Sequence, residues 1–379
     1  MTTSEQILLA TKAKPIMMQA SAEVRNGALL SMADALLSEM KSILSANDED
    51  VLAAKGIISD VMIDRLSLTE ARIRAMADAV RKVAELPDPL GRVLEETVRE
   101  DGLVIRKLSV PIGVLAMIYE SRPNVTSDAA ALSVKTGNVC ILRGGKEAIK
   151  TNRAIALALK KGLSAVGLPE DAVTLIQDTG RESATALMTA VGKVDLLIPR
   201  GGAGLIRACV ENAKVPCIET GTGICHIYID KFADTERALS ILENAKTSRP
   251  SVCNAAEVCL VHKDVAKALL PKIRERLVSC RIEEGKNPVE LRLDPVAQGI
   301  IEGVAATESD FDTEFLDYKL AVAVVDSLED AIAHIAAHST GHSEAIVTED
   351  RSAADAFTLA VDSAAVYVNA STKIGRAHV

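Results

Sequence analysis

Apolar residues recur at steps of three and four through the first 90 residues, as in LLSMADALLSEMKSILSANDEDV and TEARIRAMADAVRKVAEL. This is the spacing of amphipathic helices, so residues 4–90 are predicted to be helical throughout. The pattern then changes to two short runs rich in Val, Leu and Ile on either side of Asp101-Gly102. Because Asp-Gly is a strong signal for a tight turn between antiparallel strands, we predict a protruding hairpin at about residues 92–110.

After Pro111, apolar runs of strand length alternate with segments of helical period, beginning with the strands GVLAMIYE, NVCILRG, AVTLIQ and DLLIPR. This alternation predicts a parallel, doubly wound sheet whose ligand lies beyond the carboxyl ends of the strands. A second cycle begins near Asp234 and includes the strands AEVCLVH, LAVAVVD, EAIVTE and AAVYVN. The predicted fold class is therefore α/β, with two lobes.

Composition narrows the class of protein. Hydrophobic residues make up 48% and charged residues 25% of the 379, which is typical of a globular chain. The net charge is −9 and the sequence has no basic run, so nucleic acid is not expected as a partner. The start of the chain lacks a signal-peptide pattern, and no apolar run approaches the length of a membrane span, so we expect no membrane partner and a cytoplasmic location. The seven cysteines, without CxxC spacing, suit reduced thiols in that compartment.

The loop SRPSVCNAAEV places Cys253 in a polar setting between a helix and a strand. Arg249 lies four residues earlier, and a nearby cation can raise the thiolate fraction of a cysteine, which is the nucleophilic form. The other six cysteines lie in or beside apolar stretches, where core packing is a sufficient reason for them. From this loop alone, a structural role for Cys253 is the more common alternative to catalysis.

Six stretches together resemble the gamma-glutamyl phosphate reductase branch of the aldehyde dehydrogenase superfamily: YESRPNVTSDAAALSVKTGNVCILRGGKEA, VDLLIPRGGAGLI, GICHIYID, SRPSVCNAAEV, EFLDYKLAV and SAAVYVNAST. The resemblance runs from about residue 5 to Thr372. It implies an aldehyde dehydrogenase-like fold with a Rossmann-type NADP-binding domain at 1–225, whose hairpin serves oligomerisation. It also implies an α/β catalytic domain at 226–355 that carries Cys253.

The same resemblance implies that residues 356–373 return to the cofactor domain and are cut short there. Residues 374–379, IGRAHV, have no counterpart in the family, so we expect them to be a non-native tail. The implied reaction is the NADPH-dependent reduction of L-glutamyl 5-phosphate to L-glutamate 5-semialdehyde and phosphate, the second step of proline biosynthesis from glutamate. It passes through a thioester at Cys253. The implied partners are copies of the same chain, as a homo-oligomer, and glutamate 5-kinase, for channelling.

Residue roles follow from the matched motifs. Asn124 of SRPNVT corresponds to the asparagine that forms the oxyanion hole, although Asn is also a favoured N-cap of a following helix. Arg143 of ILRGGKEA falls where the superfamily has a lysine that contacts the adenosine ribose, and Lys146 follows closely. Two cations there suit the 2′-phosphate of NADP, although a solvated surface cluster explains them nearly as well. Gly201 and Gly202 of PRGGAGLIRA lie at a strand-to-helix turn, where a pyrophosphate can approach a helix N-terminus.

Glu314 of EFLDYK corresponds to the glutamate that holds the nicotinamide ribose, with an exposed charge as the alternative. Ser121, Arg122 and Arg249 are candidates for the substrate's amino-acid head by charge and place. Glu219 of PCIETGTG stands where hydrolytic aldehyde dehydrogenases keep a water-activating base. A reductase that releases phosphate needs no such water, so Glu219 is left out of the catalytic set.

Two further interpretations stay open beside the reductase. One is an ordinary aldehyde dehydrogenase that hydrolyses its thioester with Glu219, and the other is a silent nucleotide-binding scaffold. A metal site is not expected. His334, His338 and His342 are spaced four apart, but Gly341 interrupts the helix and no carboxylate or cysteine completes the ligand set, so we interpret the three as a solvated helix end.

Overall fold

The computed structural model describes residues 1–120, 122–218 and 222–373, apart from the side chains of Val61 and Ala203. Ser121, Glu219 and the tail 374–379 lie outside the described residues. The chain divides into two compact units, Met1–Thr220 and Gly221–Val379. In the described part of the chain, no helix is both long enough and apolar enough to cross a membrane.

The first unit opens with five helices, as the three- and four-residue spacing predicts: α1 Thr3–Gln19, α2 Ala22–Ser38, α3 Met40–Ala54, α4 Asp60–Leu66 and α5 Glu70–Glu85. Side-chain caps start four of them, since Thr2, Ser21, Ser59 and Thr69 each accept a backbone N–H of the first turn. The predicted hairpin follows as β1 Val93–Val98 and β2 Val104–Leu108, which pair antiparallel. Every residue of both strands is exposed.

The rest of the first unit alternates strands and helices around a parallel four-stranded sheet. Its elements are β3 Val114–Tyr119, α6 Pro123–Lys135, β4 Val139–Arg143, α7 Ile149–Ala165, β5 Val173–Leu175, α8 Arg181–Met188, β6 Leu196–Arg200 and α9 Ala203–Asn212, with 3-10 turns at Lys146–Ala148 and Glu170–Ala172. The strand order is β5-β4-β3-β6, so the chain changes direction across the sheet between β3 and β6. Such a switch point is where doubly wound sheets place their ligands.

The second unit is built on a parallel seven-stranded sheet of order β10-β9-β11-β8-β7-β12-β13. Its strands are β7 Cys225–Ile229, β8 Ala256–His262, β9 Glu290–Leu293, β10 Val304–Ala305, β11 Lys319–Val325, β12 Ser343–Val347 and β13 Ala365–Val368. Its helices are α10 Thr235–Thr247, α11 Lys263–Arg274, α12 Cys280–Glu283, α13 Pro295–Gln298, α14 Glu308–Phe311, α15 Leu328–His338 and α16 Arg351–Ala360, with a π-helical turn at Glu275–Ser279 between α11 and α12.

Both faces of this sheet are covered. Alternate residues of the central strand β8 enter two different cores, with Cys259 and Val261 on the side of α10 and α11, and Val258 and Leu260 on the side of α15 and α16. A parallel strand that is buried on both faces has a continuous apolar sequence, and for this reason the strand AEVCLVH could be predicted. The predicted α/β class with parallel sheets is confirmed.

The predicted domain boundaries need two corrections. Residues 356–373 do not return to the first unit, because β13 pairs in parallel with β12 and lies at the edge of the second sheet. Thr372 also donates from its hydroxyl to the carbonyl of Asn254 in that unit. The first boundary falls at 220/221 rather than after 225, since β7 belongs to the second sheet.

Candidate active site

Cys253 lies in the loop between α10 and β8, and its side chain is half-buried. Arg249 precedes Pro250 in this loop, and a residue before proline is disfavoured in helical conformation, so α10 ends and the chain turns toward the sheet. Cys225 donates from its thiol to the carbonyl of Cys253 at 3.2 Å. The reactive candidate is thus held in a structured loop at the amino edge of the sheet.

Three neighbouring strands begin at this edge. Cys225 is the first residue of β7, Cys253 comes shortly before β8, and His342 comes immediately before β12. Because β8, β7 and β12 are adjacent and parallel, the residues before them meet at one place. Nε2 of His342 lies 3.1 Å from Sγ of Cys253, and Nδ1 lies 2.8 Å from Oγ of Ser343.

The contact changes the proton affinity of the imidazole. The hydrogen bond to Cys253 is the largest cause and raises the pKa of His342 above its ordinary value. Partial burial opposes this shift, while the carboxylates of Glu314 and Glu344 favour the protonated ring. A base whose proton affinity rises in contact with a thiol is suited to accept that thiol's proton.

Glu314 lies beside the same loop and is half-buried. Its Oε1 accepts the backbone N–H of Gly223 at 3.0 Å. Gly223 in turn packs against the main chain of Cys253, so closely that a Cβ placed on it would lie 1.4 Å from the Cys253 carbonyl oxygen. Only glycine fits at 223, and through it the Glu314 carboxylate is tied to the backbone of the candidate nucleophile.

Two contacts from residues far along the chain fasten the loop on either side of Cys253. Lys373 donates from Nζ to the carbonyl of Arg249 at 2.8 Å, and Thr372 donates to the carbonyl of Asn254 at 2.7 Å. Burial is the main reason that the pKa of Lys373 falls to about 8. Arg249, the cation that the sequence suggested for the thiol, is half-buried, and Lys373 is the cation that interacts electrostatically with Cys253.

A buried ion pair underlies this edge. Nζ of Lys246, near the end of α10, lies 2.6 Å from Oε2 of Glu257, the second residue of β8, and neither side chain is accessible to solvent. The other carboxylate oxygen of Glu257 accepts the N–H of Leu316, at 3.4 Å. Burial raises the pKa of Glu257 to about 7 and lowers that of Lys246. The pair joins the end of α10 to the start of β8, between which the Cys253 loop is carried.

Asn124 lies in the first unit, as the second residue of α6, and is half-buried. The N-cap position belongs to Arg122, so the alternative that Asn124 caps this helix is wrong. Its Nδ2 donates to Oδ2 of Asp128 at 3.0 Å. An amide nitrogen carries two hydrogens, so this bond fixes the side chain and leaves a second donor for another acceptor.

The remaining first-unit candidates follow the carboxyl ends of three strands. Gly201 and Gly202 connect β6 to α9 as predicted, and the N–H of Gly202 donates to Oε2 of Glu120, the residue after β3, at 3.0 Å. A carboxylate thus occupies the position at the helix N-terminus where anions are favoured. No local pattern in the sequence singles out Glu120, because its contact with Gly202 spans 82 residues.

The two predicted cations at β4 differ in their surroundings. Arg143 is half-buried, and its guanidinium donates to the carbonyls of Thr179 and Gly180 and lies 3.4 Å from Oγ of Ser183. Lys146, in the 3-10 turn after β4, is exposed. Arg143 is therefore engaged in holding the loop after β5, whereas Lys146 is accessible to a ligand.

The three histidines do not form one solvated helix end. His334 is half-buried with its ring 5.1 Å from that of Phe311, and burial lowers its pKa to about 3. His338, the last residue of α15, contacts Asp312 at 2.8 Å. His342 lies beyond the helix and contacts Cys253. The prediction that His342 belongs to a helix end was wrong, because it relied on spacing along one helix, whereas the partner of His342 is 89 residues away.

Known proteins match this chain over nearly all its length. A model of the aldehyde dehydrogenase family matches residues 4–299. The gamma-glutamyl phosphate reductase of Streptococcus suis (strain 05ZYH33) is 59% identical over 377 residues, which are 98% of this chain and 89% of that protein. That of Streptococcus pneumoniae (strain CGSP14) is 60% identical over 354 residues, 93% of this chain and 84% of that protein. The crystal structure of gamma-glutamyl phosphate reductase from Thermotoga maritima matches with a TM-score of 0.89 at 42% identity, covering 98% of this chain and 89% of that one.

The chain therefore belongs to the aldehyde dehydrogenase family, whose enzymes use a nicotinamide cofactor. It is an oxidoreductase that acts on a small-molecule substrate. Within that family it belongs to the gamma-glutamyl phosphate reductases, which take part in proline biosynthesis, and the resemblance seen in the sequence is confirmed.

Proposed function

We propose that this chain reduces L-glutamyl 5-phosphate to L-glutamate 5-semialdehyde with NADPH, releasing phosphate, and that Cys253 carries the acyl group as a thioester. The observation that supports this most directly is the half-buried Cys253 thiol in a fastened loop, 3.1 Å from the imidazole of His342. A nucleophile beside a base is the arrangement that covalent acyl transfer requires. Relatives that match 98% of the chain are named gamma-glutamyl phosphate reductases, which supports this reaction.

In the proposed first step, the sulfur of Cys253 bonds to the acyl carbon, and the bond from that carbon to the phosphate oxygen breaks. Negative charge gathers on the carbonyl oxygen during the attack. The second N–H of Asn124 and the backbone N–H of Cys253 are the proposed donors to that oxygen. The bond from Asn124 to Asp128 serves to hold the amide in one orientation, which is what a preorganised donor needs.

The first unit offers groups that fit a dinucleotide. The glycine turn after β6 leads into the N-terminus of α9, a position that favours phosphate groups, and Gly202 has a backbone N–H there that donates to Glu120. We propose Lys146 as the cation for the 2′-phosphate and Arg143 as the residue that shapes the adjoining loop. Glu314 is the proposed partner of the nicotinamide ribose. Bound NADPH supplies the hydride that reduces the acyl group.

Substrate recognition is assigned by charge. Arg122 and Arg249 are the proposed partners of the substrate's carboxylate, with Ser121, which lies outside the described residues, as a hydrogen-bonding neighbour. For the whole enzyme we propose a homo-oligomer that uses the hairpin, association with glutamate 5-kinase, and a cytoplasmic location. Hydrolysis by Glu219 remains the rival reaction.

The reverse reaction tests the proposal. Glutamate semialdehyde and NADP should yield NADPH only when phosphate is present, because phosphate releases the thioester. Formation of NADPH and glutamate without phosphate would instead support a hydrolytic aldehyde dehydrogenase. Cys253→Ser should lower the rate by at least roughly a thousandfold. Cys280→Ser, at a second half-buried cysteine, is the matched control and should keep the wild-type rate.

A further inference from the structure

We propose that His342 is the acid–base residue of the acylation step: its Nε2 takes the proton of the Cys253 thiol and passes it to the departing phosphate. This inference rests on the proposed function for the identity of the leaving group. It assigns a role to a residue outside the motif that carries the nucleophile.

The distance and the ring orientation both support the role. Nε2 of His342 lies 3.1 Å from Sγ of Cys253, within the range of a direct proton transfer. Nδ1 lies 2.8 Å from Oγ of Ser343, whose side chain is fully buried. When the Nδ1 hydrogen is donated to Ser343, Nε2 presents a lone pair to the thiol, which is the tautomer that a base needs.

The backbone around His342 is held before any substrate arrives. Oγ of Thr340 accepts the N–H of Ile224 at 3.1 Å and donates to the carbonyl of Thr222. Gly341 has a φ of 67°, in the left-handed region, and its N–H donates to Oγ of Ser339. These bonds tie the turn before β12 to the start of β7, so the imidazole is directed at Cys253 by a preorganised backbone.

The carboxylates that face the ring favour its protonated form once the thiol has lost its proton. Glu344 follows on β12 and is fully buried, and Glu314 comes from the loop before β11. Cys225 on β7 lies with its Sγ 4.0 Å from Nδ1, and burial raises the pKa of that thiol, which disfavours its ionisation. The cation Lys373, which donates to the carbonyl of Arg249, acts on the thiol instead, because its charge favours the Cys253 thiolate.

The proton balance of the step explains why a relay is useful. Sulfur bonds to the acyl carbon, the carbon–oxygen bond to phosphate breaks, and the thiol hydrogen passes through Nε2 to the phosphate oxygen. The acyl phosphate and the thiol thus become a thioester and hydrogen phosphate, and His342 ends neutral, as it began. Without the proton, the leaving group would depart as a more highly charged anion, which is harder to expel.

The test separates the state of the thiol from turnover. Alkylation of Cys253 by iodoacetamide is measured across pH in the full chain, with the modified peptide identified by mass spectrometry. In His342→Gln, which keeps a polar side chain but accepts no proton at this pH, the midpoint of the alkylation rate should move up by about one pH unit or more. Turnover should fall by about 10²- to 10⁴-fold, the range for a general acid–base residue.

His338→Gln is the matched control, because it removes another imidazole near β12 that contacts Asp312 instead of Cys253. It should leave the alkylation profile of Cys253 at its wild-type position. In His342→Ala, added imidazole should restore part of the lost turnover. Should His342→Gln fail to fold, Ser343→Ala keeps the ring but removes its Nδ1 partner, and the profile should then move by a smaller amount.

An alkylation profile of folded His342→Gln that overlaps the wild-type profile would overturn the inference. A shifted profile in a protein whose wild-type form does not reduce glutamyl phosphate would support His342 as the base for Cys253 and overturn the proposed substrate instead.

Discussion

The candidate functional residues of the two units lie at opposite ends of the strands of their sheets. In the first unit, Glu120, Arg143 and Gly201 come directly at or after the carboxyl ends of β3, β4 and β6. In the second unit, Cys253 and His342 come before the amino ends of β8 and β12. The general rule for parallel sheets places ligands at carboxyl ends, so the candidate residues of the first unit follow this rule and those of the second unit depart from it.

The difference lies in what each edge must do. A carboxyl edge presents helix N-termini and glycine turns, which bind the phosphates of a dinucleotide through backbone groups. The amino edge of the second unit instead brings the side chains of Cys253 and His342 to hydrogen-bonding distance, and contacts from distant residues hold the Cys253 loop. Binding can rest on backbone geometry, whereas nucleophilic chemistry needs a particular pair of side chains at hydrogen-bonding distance.

The largest expected effect tests how far the amino edge depends on its buried ion pair. Lys246→Met should lower the free energy of unfolding by about 3–5 kcal/mol, because it leaves the Glu257 carboxylate buried without its partner. Urea denaturation of the variant measures the change. The double variant Lys246→Met with Glu257→Leu should recover most of the loss. If the single variant is as stable as the wild type, the pair does not support this edge.

The next effect concerns the one proposed catalytic residue that lies in the first unit. Asn124→Ala should lower the turnover number by about 10²- to 10³-fold, the effect of losing one oxyanion donor, with folding and cofactor affinity nearly unchanged. Steady-state kinetics and cofactor titration measure the two quantities. Asp128→Asn keeps an acceptor for the amide and should cost far less. Unchanged turnover in Asn124→Ala would confine the chemistry to the second unit.

A pair of glycine substitutions compares the two edges directly. In Gly223→Ala, the new Cβ meets the backbone carbonyl of Cys253, which cannot move without displacing the nucleophile, so turnover should fall by about 10²-fold or more. In Gly201→Ala, the nearest atoms belong to the side chains of Glu120 and Leu205, at 2.7 Å, which can rotate away.

We therefore expect Gly201→Ala to weaken cofactor binding modestly and to spare turnover at saturating cofactor. Gly204→Ala, with open space around its Cβ, is the control for both. If Gly223→Ala and Gly201→Ala lose turnover equally, the proposed difference between the carboxyl edge of the first unit and the amino edge of the second is wrong.

The smallest expected effect distinguishes the roles of Lys146 and Arg143 at the proposed cofactor site of the first unit. Lys146→Ala should weaken NADPH by about tenfold and NADH hardly at all, because only NADPH carries the 2′-phosphate. Arg143→Ala should weaken both cofactors alike, since its donors hold the loop at Thr179 and Gly180. Fluorescence titration with each cofactor gives the ratio. A selective loss of NADPH in Arg143→Ala would exchange the two roles.

Sequence reasoning correctly predicted the features that depend on neighbouring residues. The helical first segment, the hairpin at Asp101-Gly102 and the glycine turn at Gly201 all depend on residues within a few positions of one another, and all are found. The loop around Cys253 also lies between a helix and a strand, α10 and β8, as the sequence pattern predicted. The roles of Asn124, Arg143, Lys146 and Glu314 came from resemblance and remain predictions.

What sequence reasoning missed depends on contacts between distant residues. His342 meets Cys253 across 89 positions, and Lys373 meets Arg249 across 124. The assignment of residues 356–373 to the first unit failed for the same reason, because nothing in AAVYVN states which sheet edge it joins. Parallel pairing is set by the order of strands in space, and a single sequence does not display that order.

The fastening of the Cys253 loop has a consequence for how the protein is made. A ribosome that adds about 5–20 residues per second needs roughly 6–25 s to extend the chain from Arg249 to Lys373. During that interval Cys253 has been synthesised but its loop lacks the contacts from Thr372 and Lys373. A nascent chain therefore carries this thiol for seconds before its loop is fastened, and ribosome-bound chains arrested before residue 372 should lose Cys253 to alkylation or oxidation without the pH profile of the finished enzyme.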